Sequence, residues 1–467
     1  MQGMSFQDAS DPTEAAKTGL ISSAIESPFR LSVKHCESRE HKTSSQNIPL
    51  ALEDPTFSIL SPTSKHYLDY YNNRICKLFI VYDSEKNPFR SLISLAITDQ
   101  TLCKAVLALA ARHKANSGRS FHEPGTVVPI QSRGAHYDAL LFKQQAMQNL
   151  ASDLADATSC AKDTTMASIF LLIFLDLLES GSDRWNVHLE GIKRLIETNP
   201  LLSGPEMNTS QDPGRTILQI RNFITRQIYL IETLGATFVR PKLLSPFNFL
   251  EQSEALLQET VEQSFLGCPE YLLTAIQSLS MHRDALTIPE PLDSATLAEH
   301  AQNIHKVIDF IQVFDCTIWA SSLRHPDDLS TRDTHNLPML AQSYKLGALI
   351  YGQRILDTVT KQDSTQDNLV QELIRVIGLL KEDDSLIKCI LWPIFVAGLE
   401  CRESAQQDFL SSSLEQFWAV TNCLNGVNAA RILQGYWQWQ EQEGGPGSFA
   451  SRWVFTIGRM GQDWLLI

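Results

Sequence analysis

Apolar positions fill every face of one stretch and only one face of its neighbours. Over residues 166–178 the sequence MASIFLLIFLDLL leaves no polar side, which predicts a helix buried all round. Asp163 or Thr164 can cap its start, because a short side-chain oxygen accepts a bond from an orphan backbone N–H. Gly181 can end it, because glycine enters the left-handed region without a Cβ clash. Ser182 or Asp183 then starts a second helix. On it Trp185, His188, Leu189, Ile192, Leu195 and Ile196 fall at three- and four-residue spacings and share one face. The pattern predicts a central helix wrapped by amphipathic neighbours, with 164–197 as the organising segment. Asp176 stands alone in the apolar run. It must find a partner or lie at the rim, since an unpaired buried carboxylate is costly.

The same period predicts further helices along the chain. Ser64 can cap one carrying Tyr67, Leu68, Tyr71, Ile75, Leu78 and Phe79. A break at Asn87-Pro88-Phe89-Arg90 precedes a helix over 91–98, and Asp99 caps a strong one over 102–113, dense in Ala and Leu. Helical spacing returns over 135–154, 216–235, 270–281, 300–322, 341–358, 369–380 and 385–401. Glycine and proline mark loops over 116–133 and 200–214, a polar loop is expected over 325–338, and Gly444-Gly445-Pro446-Gly447 is a break before a last segment with Trp453, Phe455 and Trp464. No sustained strand alternation, hairpin signal or fixed-period repeat occurs. The expected fold is all-α: a large bundle of amphipathic helices around a buried central helix. Residues 1–57, Ser-rich and poor in large apolar side chains, read as a disordered leader, and 58–467 as the helical domain.

Composition narrows the function. The formal net charge of −14 works against binding a polyanion without a local basic patch, because DNA affinity rests largely on Lys and Arg displacing counterions. The longest apolar run is about half of the ~20 residues a membrane helix needs. The N-terminus has neither the basic start nor the apolar core of a signal peptide. The nine cysteines stand singly with no C-x-x-C pair, which reads as thiols used as small core residues in a reducing compartment.

Four blocks in order resemble the fungal-specific transcription factor domain, in the variety seen in acriflavine-sensitivity-type regulators. They are Asn87-Pro88-Phe89-Arg90 with LISLAITDQTLCKAVLALAARH, then Trp185-x-x-His188-x-x-Gly191, then Leu266-Gly267-Cys268-Pro269, and finally YKLGALIYGQRIL with LWPIFVAGLEC. The resemblance implies an all-helical regulatory region in a nuclear protein that controls transcription, with a metabolic or secondary-metabolite gene set among the expected targets. The family's DNA-binding module needs six cysteines in two C-x-x-C-x6-C half-sites to bridge two zinc ions. Here the N-terminal region holds only Cys36. Direct DNA reading by this chain alone is therefore not expected. Regulation would run through partners, either other regulators or a second copy, unless an upstream exon supplies the cluster.

Residues able to carry chemistry are few. Trp185 and His188 share a helical face while Glu190 points elsewhere. They could wall a pocket for a small-molecule effector, or be a core indole and an imidazole bonded to a neighbouring carbonyl. His35, Cys36 and His41 offer three metal ligands where a closed zinc site takes four. Asp327-Asp328 with Asp333, and Glu382-Asp383-Asp384, suggest the magnesium clusters of helical terpene cyclases, but the D-D-x-x-D spacing fails at Thr331 and Ile387. They read better as loop acids and helix-starting acids. Asn208-Thr209-Ser210 fits a glycosylation sequon only formally. No catalytic residue, cofactor or metal is expected. The rival readings are a helical enzyme of terpene-cyclase type, an accessory biosynthetic protein, or a scaffold that dimerises a DNA-binding partner and competes with it.

Overall fold

Ser61 accepts a hydrogen bond from the Ser64 backbone N–H at 3.1 Å, with Pro62 in the first helical turn. So the first helix, α1 (Pro62–Tyr70), starts from Ser61 and not from Ser64. The computed structural model describes residues 60–122, 129–182, 184–198, 213–245, 264–287, 293–323, 331–442, 453–459 and 462–467. The leader, with His35, Cys36 and His41, the loop over 200–212, the sequon and Asp327-Asp328 lie outside these residues. After α1 the chain runs through a π turn, Tyr71–Ile75, into Cys76–Leu78.

Asn87 then caps α2 (Pro88–Thr98) by accepting from the Phe89 N–H at 2.9 Å. Proline suits this first turn because its missing N–H would be an orphan there anyway. Asp99 does double duty. One carboxylate oxygen accepts from Leu102 N and caps α3 (Gln100–Asn116) at 2.9 Å. The other accepts from Thr164 Oγ1 at 2.7 Å and ties the start of α3 to the central helix. α4 (Arg133–Ala155) follows, then α5 (Asp163–Glu179) and α6 (Trp185–Thr198), then α7 (Pro213–Ala236).

The second half holds α8 (Glu270–Ala285), α9 (Ser294–Val313), α10 (Cys316–Ser322), α11 (Thr331–Thr360), α12 (Asp367–Leu380), α13 (Leu391–Glu400), α14 (Ser404–Thr421) and α15 (Leu424–Gln442). Three expectations are corrected here. The helix expected over 300–322 is two, because Asp315 caps a new start by accepting from Thr317 N and Ile318 N. The loop expected over 325–338 is helical from Thr331, so Pro338 lies inside α11. The helix expected over 385–401 breaks between Ile387 and Leu391, with Asp383 capping the short first piece. Among the described residues there is no strand, only one isolated antiparallel bridge between Ser182 and Trp464. The all-α class is correct.

α5 is buried along every residue from Thr165 to Leu178. Its Phe174 ring lies 4.4 Å from Phe79, 4.9 Å from Phe170 and 5.1 Å from Phe265, centroid to centroid. Such edge-on and tilted pairs add to area burial because ring edges and faces carry opposite partial charge. α3 and α13 are also buried on nearly every side. The start of α5 has no side-chain cap, contrary to the expectation for Asp163 or Thr164: Asp163 sits inside the first turn and Lys162 precedes it without a side-chain cap bond. Its far end closes as expected. Gly181 has φ +69°, and its N–H donates to Asp176 O at 2.7 Å.

Candidate functional site at the central hairpin

Trp185 opens α6 directly after the Gly181 turn and is completely buried. Its indole N–H donates to Asp463 O at 3.0 Å. The segment that supplies this acceptor crosses the hairpin end, where Leu465 N donates to Gly181 O at 2.7 Å. The outer edge of the indole lies against Gly235 of α7, where an added Cβ would come within 2.7 Å of the ring. Trp185 is therefore an anchor between α6, α7 and the 462–467 segment. His188, one helical turn on, leaves that apolar contact and faces α5.

There it meets Asp176. His188 Nε2 stands 3.6 Å from Asp176 Oδ2, and Lys143 Nζ of α4 stands 3.6 Å from Oδ1. Lys143 also donates to Glu179 Oε2, and Glu179 Oε1 accepts from Arg112 Nη2 of α3 at 2.9 Å. Arg112 Nη1 reaches His136 Nδ1 at 3.0 Å. Four helices thus contribute to one largely buried row of ionisable side chains: Arg112, Glu179, Lys143, Asp176 and His188. Asp176 Oδ2 and Arg112 Nε are buried there without a hydrogen-bond partner. Buried polar atoms are usually satisfied, so two orphans in one row set it apart from the rest of the core.

The electrostatics follow from burial. Desolvation pushes Asp176 up to about 7, with Lys143 opposing the rise and Glu179 adding to it. Desolvation pushes His188 down to about 4, helped by the Lys143 and Arg184 cations. His136 is lowered in the same way by burial and then by Arg112 and Arg119. A carboxyl and an imidazole that titrate so far from their usual values can change charge state with small changes in their surroundings.

The sequence singled out Trp185, His188 and Asp176, and the structure puts all three at one hairpin. It separates their roles, since the indole is sealed while the imidazole and carboxyl face each other. Arg112, Lys143 and Glu179 were missed. Their only sequence signal is that Asp176 needed a partner. Glu190 belongs elsewhere, accepting from Lys193 Nζ at 2.9 Å. Among the described residues no three His, Cys, Asp or Glu side chains are grouped to hold a metal ion, and no helix is long and apolar enough to cross a membrane. The eight described cysteines are free, seven of them buried.

The family described as fungal specific transcription factor domain matches residues 66–467, and the chain belongs to it. It is a transcription regulator of that family. The acriflavine sensitivity control protein acr-2 of Neurospora crassa is 24% identical over 429 residues, covering 87% of this chain and 68% of that protein. The pestheic acid cluster transcriptional regulator 3 of Pestalotiopsis fici is 20% identical over 351 residues, 69% of this chain. This chain spans 61% of the length of that second relative. No solved structure matches.

Proposed function

We propose that these 467 residues are the regulatory part of a nuclear transcription regulator that acts through protein partners, another regulator or a second copy, and not by reading DNA themselves. The observation that carries the reading is the family match along 66–467, which takes in every helix from the middle of α1 onward. The charge supports it: net −14 with no six-cysteine pair of half-sites in the sequence. A metabolic or secondary-metabolite gene set is the proposed target, in line with the relative named for a pestheic acid cluster. Within the domain, the α5–α6 hairpin is the proposed response element. Trp185 anchors it, and His188 with Asp176 forms the part whose charge state an effector or partner would bias.

A mobility-shift titration of the purified full chain against a mixed pool of duplexes tests the DNA half of the proposal. The expected outcome is no sequence-selective shift at physiological salt. A selective shift by the chain alone would refute it.

A further inference from the structure

The chain is acidic, yet one cleft collects cations. It has a volume of about 490 Å³ and lies between the π turn after α1, the end of α3, the segment around Lys388 and the last turns of α14. Arg74, Lys77 and Lys388 line it, and Asp384 is the one carboxylate among the lining residues. The π turn explains how Arg74 comes to the cleft. An extra residue per turn rotates the side chains that follow, and such turns recur at functional sites. Among the described residues, Arg74, Lys77 and Lys388 make no ion pair, whereas Arg112, Lys193, Arg283 and Arg354 all do. Lys388 Nζ rests on the Lys77 carbonyl at 2.5 Å. Leu78, Ala419, Val420 and the His113 ring give the cleft its apolar and aromatic surface, beside the polar Asn73, Ser385 and Gln416. His113 is held by Tyr70, whose hydroxyl lies 2.9 Å from Nδ1.

We propose that this cleft binds a small organic anion, a compact apolar body bearing a carboxylate or phosphate that sits between Arg74, Lys77 and Lys388. Three cations without an ion pair in a concave site lower the energy of an anion there, although Arg74 also contacts Tyr70 and Lys388 the Lys77 carbonyl; charge-assisted hydrogen bonds to the anion are the stronger kind. The volume is that of an ordinary small-molecule site, where apolar walls bury the body and a few polar groups fix its orientation. His113 on the floor adjoins Arg112 of the buried charge row on the same helix. A ligand here thus lies against the helix that carries the hairpin's counter-charge. The proposal stands on binding alone and does not depend on the regulatory reading.

The test is calorimetric titration of the full chain with 2-naphthoate, phenyl phosphate, inorganic phosphate and the neutral 2-naphthamide. Saturable binding of either organic anion is expected, with 2-naphthamide and inorganic phosphate much weaker. In the Arg74→Gln/Lys77→Gln variant, both side chains being exposed, the affinity should fall about tenfold or more while the thermal midpoint stays put. Lys388→Gln should weaken it independently. A preference for carboxylate or for phosphate identifies the head group and supports the site either way. No saturable binding of either organic anion, equal binding of 2-naphthamide or of inorganic phosphate, or affinity unchanged in both variants would overturn it. A reporter assay plays no part in these arms, so a failed regulatory reading and a failed binding site are told apart.

Discussion

Asp176 and His188 make opposite contributions to the pH dependence of stability. Burial raises Asp176 from 3.8 to about 7, so between those values the folded chain holds a proton the unfolded chain has released. That contribution is fully present below about pH 4 and is lost as the pH rises through 7. Burial lowers His188 from 6.5 to about 4, so here the unfolded chain binds the proton first. Its contribution is present above 6.5 and is lost as the pH falls through 4. The two slopes oppose each other between about pH 4 and 6.5, each at roughly 1.4 kcal/mol per pH unit for one proton. Asp176→Asn removes the falling slope. Relative to the unaltered protein its stability should climb by about 2–3 kcal/mol from about pH 4.5 to 6.5. His188→Gln removes the rising slope and should fall by a similar amount over the same range. Urea unfolding followed by tryptophan fluorescence at a series of pH values measures both. Titrating groups away from this row are common to the three proteins and drop out of the differences. Parallel curves for the two variants would refute the assignment of opposed protonation at the hairpin.

Other perturbations probe the frame that holds it. Phe174 is fully buried among four other phenylalanines; Phe174→Ala should cost about 3–5 kcal/mol through lost transfer energy and a cavity, read as a lower denaturant midpoint at unchanged slope. Arg354, buried, donates to both oxygens of Glu400 at 2.7 and 2.6 Å and to Asp357 at 3.1 Å. Arg354→Met removes the counter-charge of both carboxylates, which keep only neutral donors from Trp453, Gln353 and Ser364, and should cost about 3–5 kcal/mol. Adding Glu400→Gln should recover part of the loss, and a double variant no better than the single one would count against the pairing.

The central helix was legible because it needed no tertiary information. An apolar run of that length, even with Asp176 in it, is buried wherever it goes, and Gly181 is a local conformational signal. Asp99 at the head of α3 was equally readable. α14 and α15 were not singled out, and the reason is local. α14 carries a Ser-Ser-Ser run and α15 two glycines, residues that favour the helix weakly. Burial of Leu414 and Phe417 in one, and of Leu433 and Trp437 in the other, decides the matter in three dimensions. Pro338 misled in the opposite direction. Proline removes one helical hydrogen bond, yet Leu337 and Leu340 beside it are buried and that packing carries the helix through. The charge row was the least legible part. Arg112 and Glu179 are 67 positions apart, and Lys143 and Glu179 are 36 apart. Only the fold brings α3, α4, α5 and α6 to the same row.

Regulation through partners is the account's central claim, and tethering tests it most directly. The full chain is fused to an unrelated DNA-binding domain, and a reporter carrying that domain's site is measured in a fungal cell, with folding of each fusion checked by protease resistance. The account predicts that the tethered chain shifts reporter output up or down from the DNA-binding domain alone. It predicts further that Asp176→Asn changes the size of that shift while the fusion stays folded. A folded fusion whose output equals that of the bare DNA-binding domain would contradict it.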